Sequence, residues 1–282
     1  MRSVDLKRWH KIAYLKTVGD DRDPKFCPAG DRLSVYFGTW LPRPEDWPDK
    51  RFGPLVTHVC FTEDGAHWSD PVPAYERNHW LWRVSYHDGI FYSPAYGWDD
   101  PREKHKSFLD LLTSQDGIKW KKVCRIAGVE DQPDETDLFF QPNGELWCIA
   151  RSTRSPDHSL FYSAKSPHQK WERTDLKVTI HCPAFCESGE RLYVAGRRRT
   201  DAPWKPQLTP AGNTGIFIVE KGKVEPLLAL PSDGDAAYPG LISREPGKLI
   251  ISYYSQHAYL NGVICGSTPH AADIYIAEIA IE

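Results

Sequence analysis

The sequence lacks the features that mark membrane, nucleic-acid-binding and disulfide-framed proteins. No apolar run approaches the roughly 20 residues that a membrane span needs. Lysine and arginine number 35 against 38 aspartates and glutamates, a formal net charge of -3. That balance offers no basic footprint for nucleic acid and no long run of one sign for a membrane surface. The first residues, MRSVDLKRWHKIAYLK, hold no apolar stretch of the secretory-signal kind, which sets the expectation of a cytoplasmic protein. Seven cysteines (Cys27, Cys60, Cys124, Cys148, Cys182, Cys186 and Cys265) show an odd count and no framework spacing, so reduced, mostly buried thiols are expected. His181-Cys182-x-x-x-Cys186 has no second Cys/His pair spaced to complete a tetrahedral zinc site. Neither a metal nor a cofactor is expected. Helical periodicity is nearly absent as well, which excludes an α-rich fold.

What is present is apolar alternation at period two, with Gly, Pro, Asn and Asp between the runs. The chain also holds 11 Trp and 13 Tyr, and planar rings suit both β-sheets and sugar faces. The stretch Asp134–Ser152, DETDLFFQPNGELWCIARS, reads as a strand, a Pro-Asn-Gly turn and a second strand. The same hairpin recurs. Its anchors, the first strong apolar residue after the turn Gly, are Leu33, Leu146, Leu192 and Leu249, with Phe91 as a fifth. The period of about 45–60 residues lies in the propeller range. Two junctions between strands match S/T-x-D-G-x-x-W: Thr62–Trp68 and Ser114–Trp120, with Ser163–Trp171 as a degraded copy. In such a turn the Asp accepts backbone N–H bonds, the Gly supplies φ > 0 and the Trp packs back on the sheet, so its role is structural.

These repeats predict one all-β domain over residues 1–282, a five-bladed β-propeller with six blades as the alternative. The four-stranded blades are expected at about 18–76, 77–130, 131–177, 178–231 and 232–282. The strand WHKIAYLK is expected to close the last blade beside DIYIAEIAIE. The repeat also aligns polar residues. Eleven positions before each Leu anchor stand Arg22, Glu135, His181 and Tyr238; five positions after stand Gly38, Arg151, Arg197 and Tyr254, with Tyr96 in the Phe91 blade. There the turn is shorter, and Trp82 or Arg83 takes the inner slot. In a propeller, equivalent positions on the innermost strands meet at one end of a central channel.

The chain resembles the sialidase (neuraminidase) superfamily, and within it uncharacterised bacterial sialidase-like proteins. S/T-x-D-G-x-x-W resembles the sialidase Asp-box. Arg22-Asp23-Pro24 resembles the Arg-Ile-Pro motif, with Asp in the middle place. Glu135 and Ala150-Arg151-Ser152 resemble the stretch carrying a glutamate and the second arginine. Ala237-Tyr238-Pro239-Gly240-Leu241 resembles the segment around the nucleophilic tyrosine, with Pro-Gly replacing Ser-Asp. The resemblance implies an exo-acting glycoside hydrolase for a terminal, carboxylate-bearing sugar, with a glycan as its partner. Arg22, Arg151 and Arg197 (or Arg198) would grip the carboxylate through bidentate hydrogen bonds. Glu135 would take the phenol proton of a nucleophilic Tyr238, an exception to the two-carboxylate scheme. Asp46, with Glu45 and Asp49 beside it, would be the acid. Arg83, His181 and Tyr254 would line the sugar.

Two other readings stand beside this one. Five blades and Arg22-Asp23-Pro24 also resemble arabinanase, xylosidase and invertase propellers, where Asp23 and Glu135 would be the working pair and Asp137 an orienting carboxylate. Strand alternation keeps Arg22 and Asp23 from both facing the channel. A non-catalytic propeller would instead bind glycan or protein through Trp40, Trp47, Trp80, Trp82 and Trp98.

Overall fold

The computed structural model describes residues 1–45, 52–199, 212–259 and 272–281. It is a five-bladed β-propeller of antiparallel sheets that follow one another along the chain. The first sheet holds β1 (Asp20–Ala29), β2 (Arg32–Trp40), β3 (Leu55–Thr62) and β4 (Val72–Pro73) in chain order. The second holds β5 (His79–Leu81), β6 (Ser85–His87), β7 (Ile90–Gly97), β8 (Phe108–Ser114) and β9 (Lys121–Ala127), with β5 and β6 both pairing with β7. The third is β10 (Pro133–Phe140), β11 (Leu146–Ser152), β12 (Leu160–Ala164) and β13 (Glu172–Asp175). The fourth is β14 (His181–Ser188), β15 (Arg191–Arg199), β16 (Gly212–Glu220) and β17 (Lys223–Ala229). The fifth is β18 (Ala236–Glu245), β19 (Lys248–Ser255) and β20 (Asp273–Ala280). Each sheet lies inside the boundaries expected from the hairpin repeat.

The chain divides into two compact units, residues 1–146 with 164–171, and residues 147–163 with 172–282. In the first, a core of Cys27, Tyr36, Val59, Leu81, Phe91 and Trp120 fills the space between sheets. In the second, Ala184, Tyr193, Ile216, Leu241, Leu249 and Tyr253 do the same. The anchors open the second strand of their hairpins: Pro28 faces Leu33, Glu187 faces Leu192 and Ser243 faces Leu249. The Phe91 hairpin is tight because Asp88 and Gly89 carry φ of 48° and 82°, the mirror-image turn that suits strand twist.

The tryptophan-tipped turns behave as structural locks. Asp116 Oδ1 accepts the N–H groups of Ile118 and Lys119 at 2.8 and 2.7 Å, and Trp120 Nε1 donates to the Gly117 carbonyl. Asp64 does the same for Ala66 and His67. In the degraded copy His168 takes the glycine's place at φ 60°, and Trp171 Nε1 donates to its carbonyl.

The N-terminal strand is a correction. Among the described residues, the last sheet has three strands and residues 9–16 pair with none of them; the segment's only ladder contact is an isolated bridge between Arg2 and His10. Local polar chemistry directs it to the first sheet instead. Asp21 accepts from the Thr17 hydroxyl at 2.6 Å, the Thr17 amide at 2.9 Å and Lys16 Nζ at 3.3 Å. Leu15 then packs on Val35, Phe37 and Cys60.

Candidate functional site

The first strands of four sheets share one irregularity. Between Arg22 and Lys25 on β1, between His181 and Ala184 on β14, and between Ala237 and Gly240 on β18, the register slips by one residue, which is a β-bulge. In the second sheet Leu81 faces Ala95 and Ser85 faces Tyr92, so Trp82-Arg83-Val84 also carries one extra residue. The bulged residues Asp23, Cys182 and Tyr238 sit at φ 53°, 50° and 49°. Each precedes a proline (Pro24, Pro183, Pro239), a context that disfavours such a conformation further. Left-handed backbone costs a non-glycine residue about 1–3 kcal/mol, and strain of this kind collects at working sites. The bulge breaks strict alternation before Lys25, while Arg22 and Asp23 themselves still differ, exposed and half-buried.

In the first unit, β10 buries three consecutive polar residues: Glu135, Thr136 and Asp137 are 3%, 0% and 6% exposed. Strand geometry puts Glu135 and Asp137 on one face. The strand's backbone holds Asp137, whose Oδ1 accepts from the Leu138 amide, and Asp134 Oδ1 accepts from the Glu135 amide. Arg83 Nε lies 3.6 Å from Asp137 Oδ2, with both side chains largely buried. Lys25, buried on β1 past the bulge, donates to the Asp23 carbonyl and lies 4.5 Å from the Trp82 ring centre. Asp23 is half-buried at the bulge. Arg22 turns to the surface, where its Nε and Nη2 donate to Asp20 at 2.8 and 2.5 Å, and its guanidinium lies over Phe52.

The second unit gathers the other predicted residues. Arg197 donates to the Ala236 carbonyl at 2.7 Å, to Asp235 at 2.8 Å and to the Tyr254 hydroxyl at 3.2 Å. The Tyr254 hydroxyl donates to Asp235 in turn. Burial, and then this bond to a carboxylate, push the Tyr254 phenol far above its ordinary range, so it works as a neutral donor. The Tyr238 ring lies 5.7 Å from that of Tyr254 and 5.9 Å from the Arg197 guanidinium carbon. Its amide donates to the Cys182 sulfur. His181 faces Arg197 in the β14–β15 register, is 2% exposed, and lies 3.7 Å from Asp157. Arg151 is half-buried near the end of β11.

The predicted residues thus form two local groups: Asp23, Arg83 and Glu135 with Lys25 and Asp137, and His181, Arg197, Tyr238 and Tyr254 with Asp157 and Asp235. Arg22 stands apart, engaged with Asp20. Asp46, Trp47 and Asp49 lie outside the described residues. Lys25, Asp157 and Asp235 were not anticipated. The signal for the bulges was available, since Asp-Pro, Cys-Pro and Tyr-Pro stand 10, 10 and 11 residues before Leu33, Leu192 and Leu249.

No family model matches the chain. No curated protein matches it either. Solved structures do. A protein of unknown function from Dyadobacter fermentans DSM 18053 aligns at TM-score 0.75 and 18% identity over 95% of this chain and 79% of that one. A mutant of Trypanosoma rangeli sialidase displaying trans-sialidase activity aligns at 0.66 and 12%, over 98% of this chain and 48% of that one. An exo-1,5-alpha-L-arabinanase from a bovine ruminal metagenomic library aligns at 0.57 and 12%, over 94% and 95%. At such identities the likeness is one of fold, and the fold this chain shares with them is the β-propeller.

Proposed function

We propose that the chain is a glycoside hydrolase that removes a terminal sugar from a glycan, with Glu135 at the centre of its chemistry. The observation that carries this reading is the buried run Glu135-Thr136-Asp137 with Arg83 at 3.6 Å from Asp137. A strand serving packing alone would bury apolar side chains there. Buried charge is retained at a cost that function accounts for. In this reading Glu135 gives its proton to the leaving glycosidic oxygen as the bond to the anomeric carbon breaks. Asp23, on the strained bulge of β1, serves as the second carboxylate and Asp137 orients the site. Water supplies the oxygen that ends on the anomeric carbon. The arabinanase among the structural neighbours supports this version.

A second version is favoured by a separate observation, the strained Tyr238 beside Arg197. There Tyr238 attacks a carboxylate-bearing anomeric carbon, a carboxylate accepts the phenol proton, a carboxylic acid protonates the leaving oxygen, and Arg151 and Arg197 hold the substrate's carboxylate. The Trypanosoma rangeli sialidase neighbour supports it. It requires Arg197 to share itself between the substrate and Asp235.

One panel separates the versions: aryl glycosides of sialic acid, 3-deoxy-octulosonic acid, uronic acids and pentofuranoses, assayed with wild type, Asp23→Asn, Glu135→Gln and Tyr238→Phe. Turnover of neutral furanosides that Asp23→Asn abolishes supports the carboxylate version. Turnover of an anionic glycoside that Tyr238→Phe abolishes supports the tyrosine version. Saturable glycan binding without turnover on any substrate would refute both and leave a binding propeller.

A further inference from the structure

The first unit carries an apolar pocket that the proposed chemistry does not use. It holds about 300 Å³ between the first sheet and the N-terminal segment. Ile12 and Leu15 of that segment line it, with Phe26 of β1, Val35 and Phe37 of β2, and Trp68 after β3. Val35 and Phe37 are buried, and Leu15 and Trp68 pack on them. Ile12 and Phe26 keep apolar surface in solvent, at 37% and 64% exposure. A cavity of this size, mostly apolar with few polar groups, has the make-up of a small-molecule site.

Two of the three polar side chains that line it are already engaged. Asp21 accepts from the Thr17 and Thr39 hydroxyls and from Lys16, and Arg22 donates to Asp20. The third is the Trp68 indole. Among the described residues its Nε1 is buried and has no hydrogen-bond partner. Its counterparts in the other two tryptophan-tipped turns do have one: Trp120 Nε1 donates to the Gly117 carbonyl at 3.2 Å and Trp171 Nε1 to the His168 carbonyl at 3.1 Å. The backbone of the Trp68 turn is held as in its sister, since Asp64 accepts the Ala66 and His67 amides as Asp116 accepts those of Ile118 and Lys119. What differs is the indole. Its N–H can only donate, and a buried donor left unpaired is costly.

We infer that this pocket binds a small uncharged molecule with an apolar body and one acceptor oxygen, which takes the Trp68 N–H. Charge on the ligand gains little, because Asp21 and Arg22 are each already paired. A polyol fits poorly, because its hydroxyls would lose water against apolar walls without partners. An amine fits poorly as well, because the group left over is a donor. The site is separate from the glycosidase reading and stands whether or not the propeller hydrolyses glycans.

The test is a titration of the full chain, labelled with nitrogen-15, with acetophenone and with α-methylstyrene, its near-isostere in which a methylene replaces the carbonyl oxygen. The indole N–H resonances report the site, and Trp68→Phe, which keeps a ring but loses the donor, assigns the Trp68 signal by its disappearance. Acetophenone is expected to shift that signal saturably. A neutral hydrogen bond of ordinary net worth changes affinity about two- to twelvefold, so acetophenone is expected to bind about fivefold more tightly than α-methylstyrene. In Trp68→Phe that preference is expected to vanish. Ile12→Glu, at a partly exposed wall position, is expected to weaken both probes, and it decides the matter if Trp68→Phe does not fold. No saturable shift of the Trp68 signal, equal affinity of wild type for the two probes, a preference retained in Trp68→Phe, or unchanged binding in Ile12→Glu would each overturn the inference.

Discussion

Gly38→Ala is the perturbation whose cost follows most directly from the geometry. Gly38 lies on β2, and a methyl group there would stand 2.3 Å from the Cε2 and Cζ2 atoms of Trp80 and 2.8 Å from Cδ2. The indole has little room to withdraw. It is 5% exposed and lies against Trp82 at 5.4 Å, Tyr96 at 6.0 Å and Trp40 at 6.3 Å between ring centres. Forcing extra volume into such packing costs about 1–3 kcal/mol. For a domain of this size each kcal/mol lowers Tm by about 2–4 °C, so the variant is expected to melt about 2–12 °C below wild type. Scanning calorimetry measures the shift, and the near-UV tryptophan bands report the ring cluster directly. Gly30→Asn is the control, because Gly30 sits at φ 61° with nothing within 4 Å of its would-be Cβ, and Asn tolerates that backbone. An unchanged Tm and an unchanged near-UV spectrum for Gly38→Ala would refute the packing argument.

Other predictions follow from single features. Asp116→Ala removes the acceptor of two backbone N–H groups and the Ser114 hydroxyl, and is expected to cost about 1–2 kcal/mol in urea denaturation, as loss of a cap does. Burial lowers the His58 imidazole below its ordinary value, against the opposing pull of Asp21. The unfolded chain then binds the proton more readily, so stability falls as pH drops from about 6.5 towards the folded value, and His58→Asn is expected to flatten that limb in denaturant midpoints against pH. Asp21 behaves in the complementary way. Burial pushes its carboxyl up, but the Thr17 hydroxyl and amide and the Thr39 hydroxyl outweigh it and hold it below the usual range. Its contribution is present above the unfolded value of about 3.9 and disappears as pH falls through the folded one, so Asp21→Asn is expected to shallow the acid limb below about pH 4.

Much of the fold was legible because its signals are local. A Pro-Asn-Gly or Asp-Gly turn followed by Leu146 or Phe91 needs no distant partner to form a hairpin, and five such hairpins located five sheets. The degraded turn at Ser163–Trp171 was legible for the same reason, although His168 in the role of glycine was not. The N-terminal segment was misplaced because its apolar alternation suits any open sheet edge, whereas Thr17 and Lys16 bonding to Asp21 decides which sheet it meets. The candidate site was legible as a set of positions. Counting from the anchors located His181, Arg197, Tyr238 and Tyr254, which lie in one cluster. Their partners were not legible, since Arg197 meets Asp235 across 38 positions of sequence and Arg83 meets Asp137 from another sheet. Alternation held at Arg22 and Asp23, which differ in exposure, and what it did not foresee is the bulge before Lys25 that resets the faces further along the strand.

The central claim is that buried Glu135 performs proton transfer at a glycosidic bond. The direct measurement is steady-state hydrolysis of the best aryl glycoside in the panel by wild type and by Glu135→Gln, with circular dichroism showing both folded. Loss of a positioned proton-transfer group is expected to lower kcat about 10²–10⁴-fold with little change in KM. Full activity in Glu135→Gln, or no hydrolysis of any glycoside by wild type, would contradict the account.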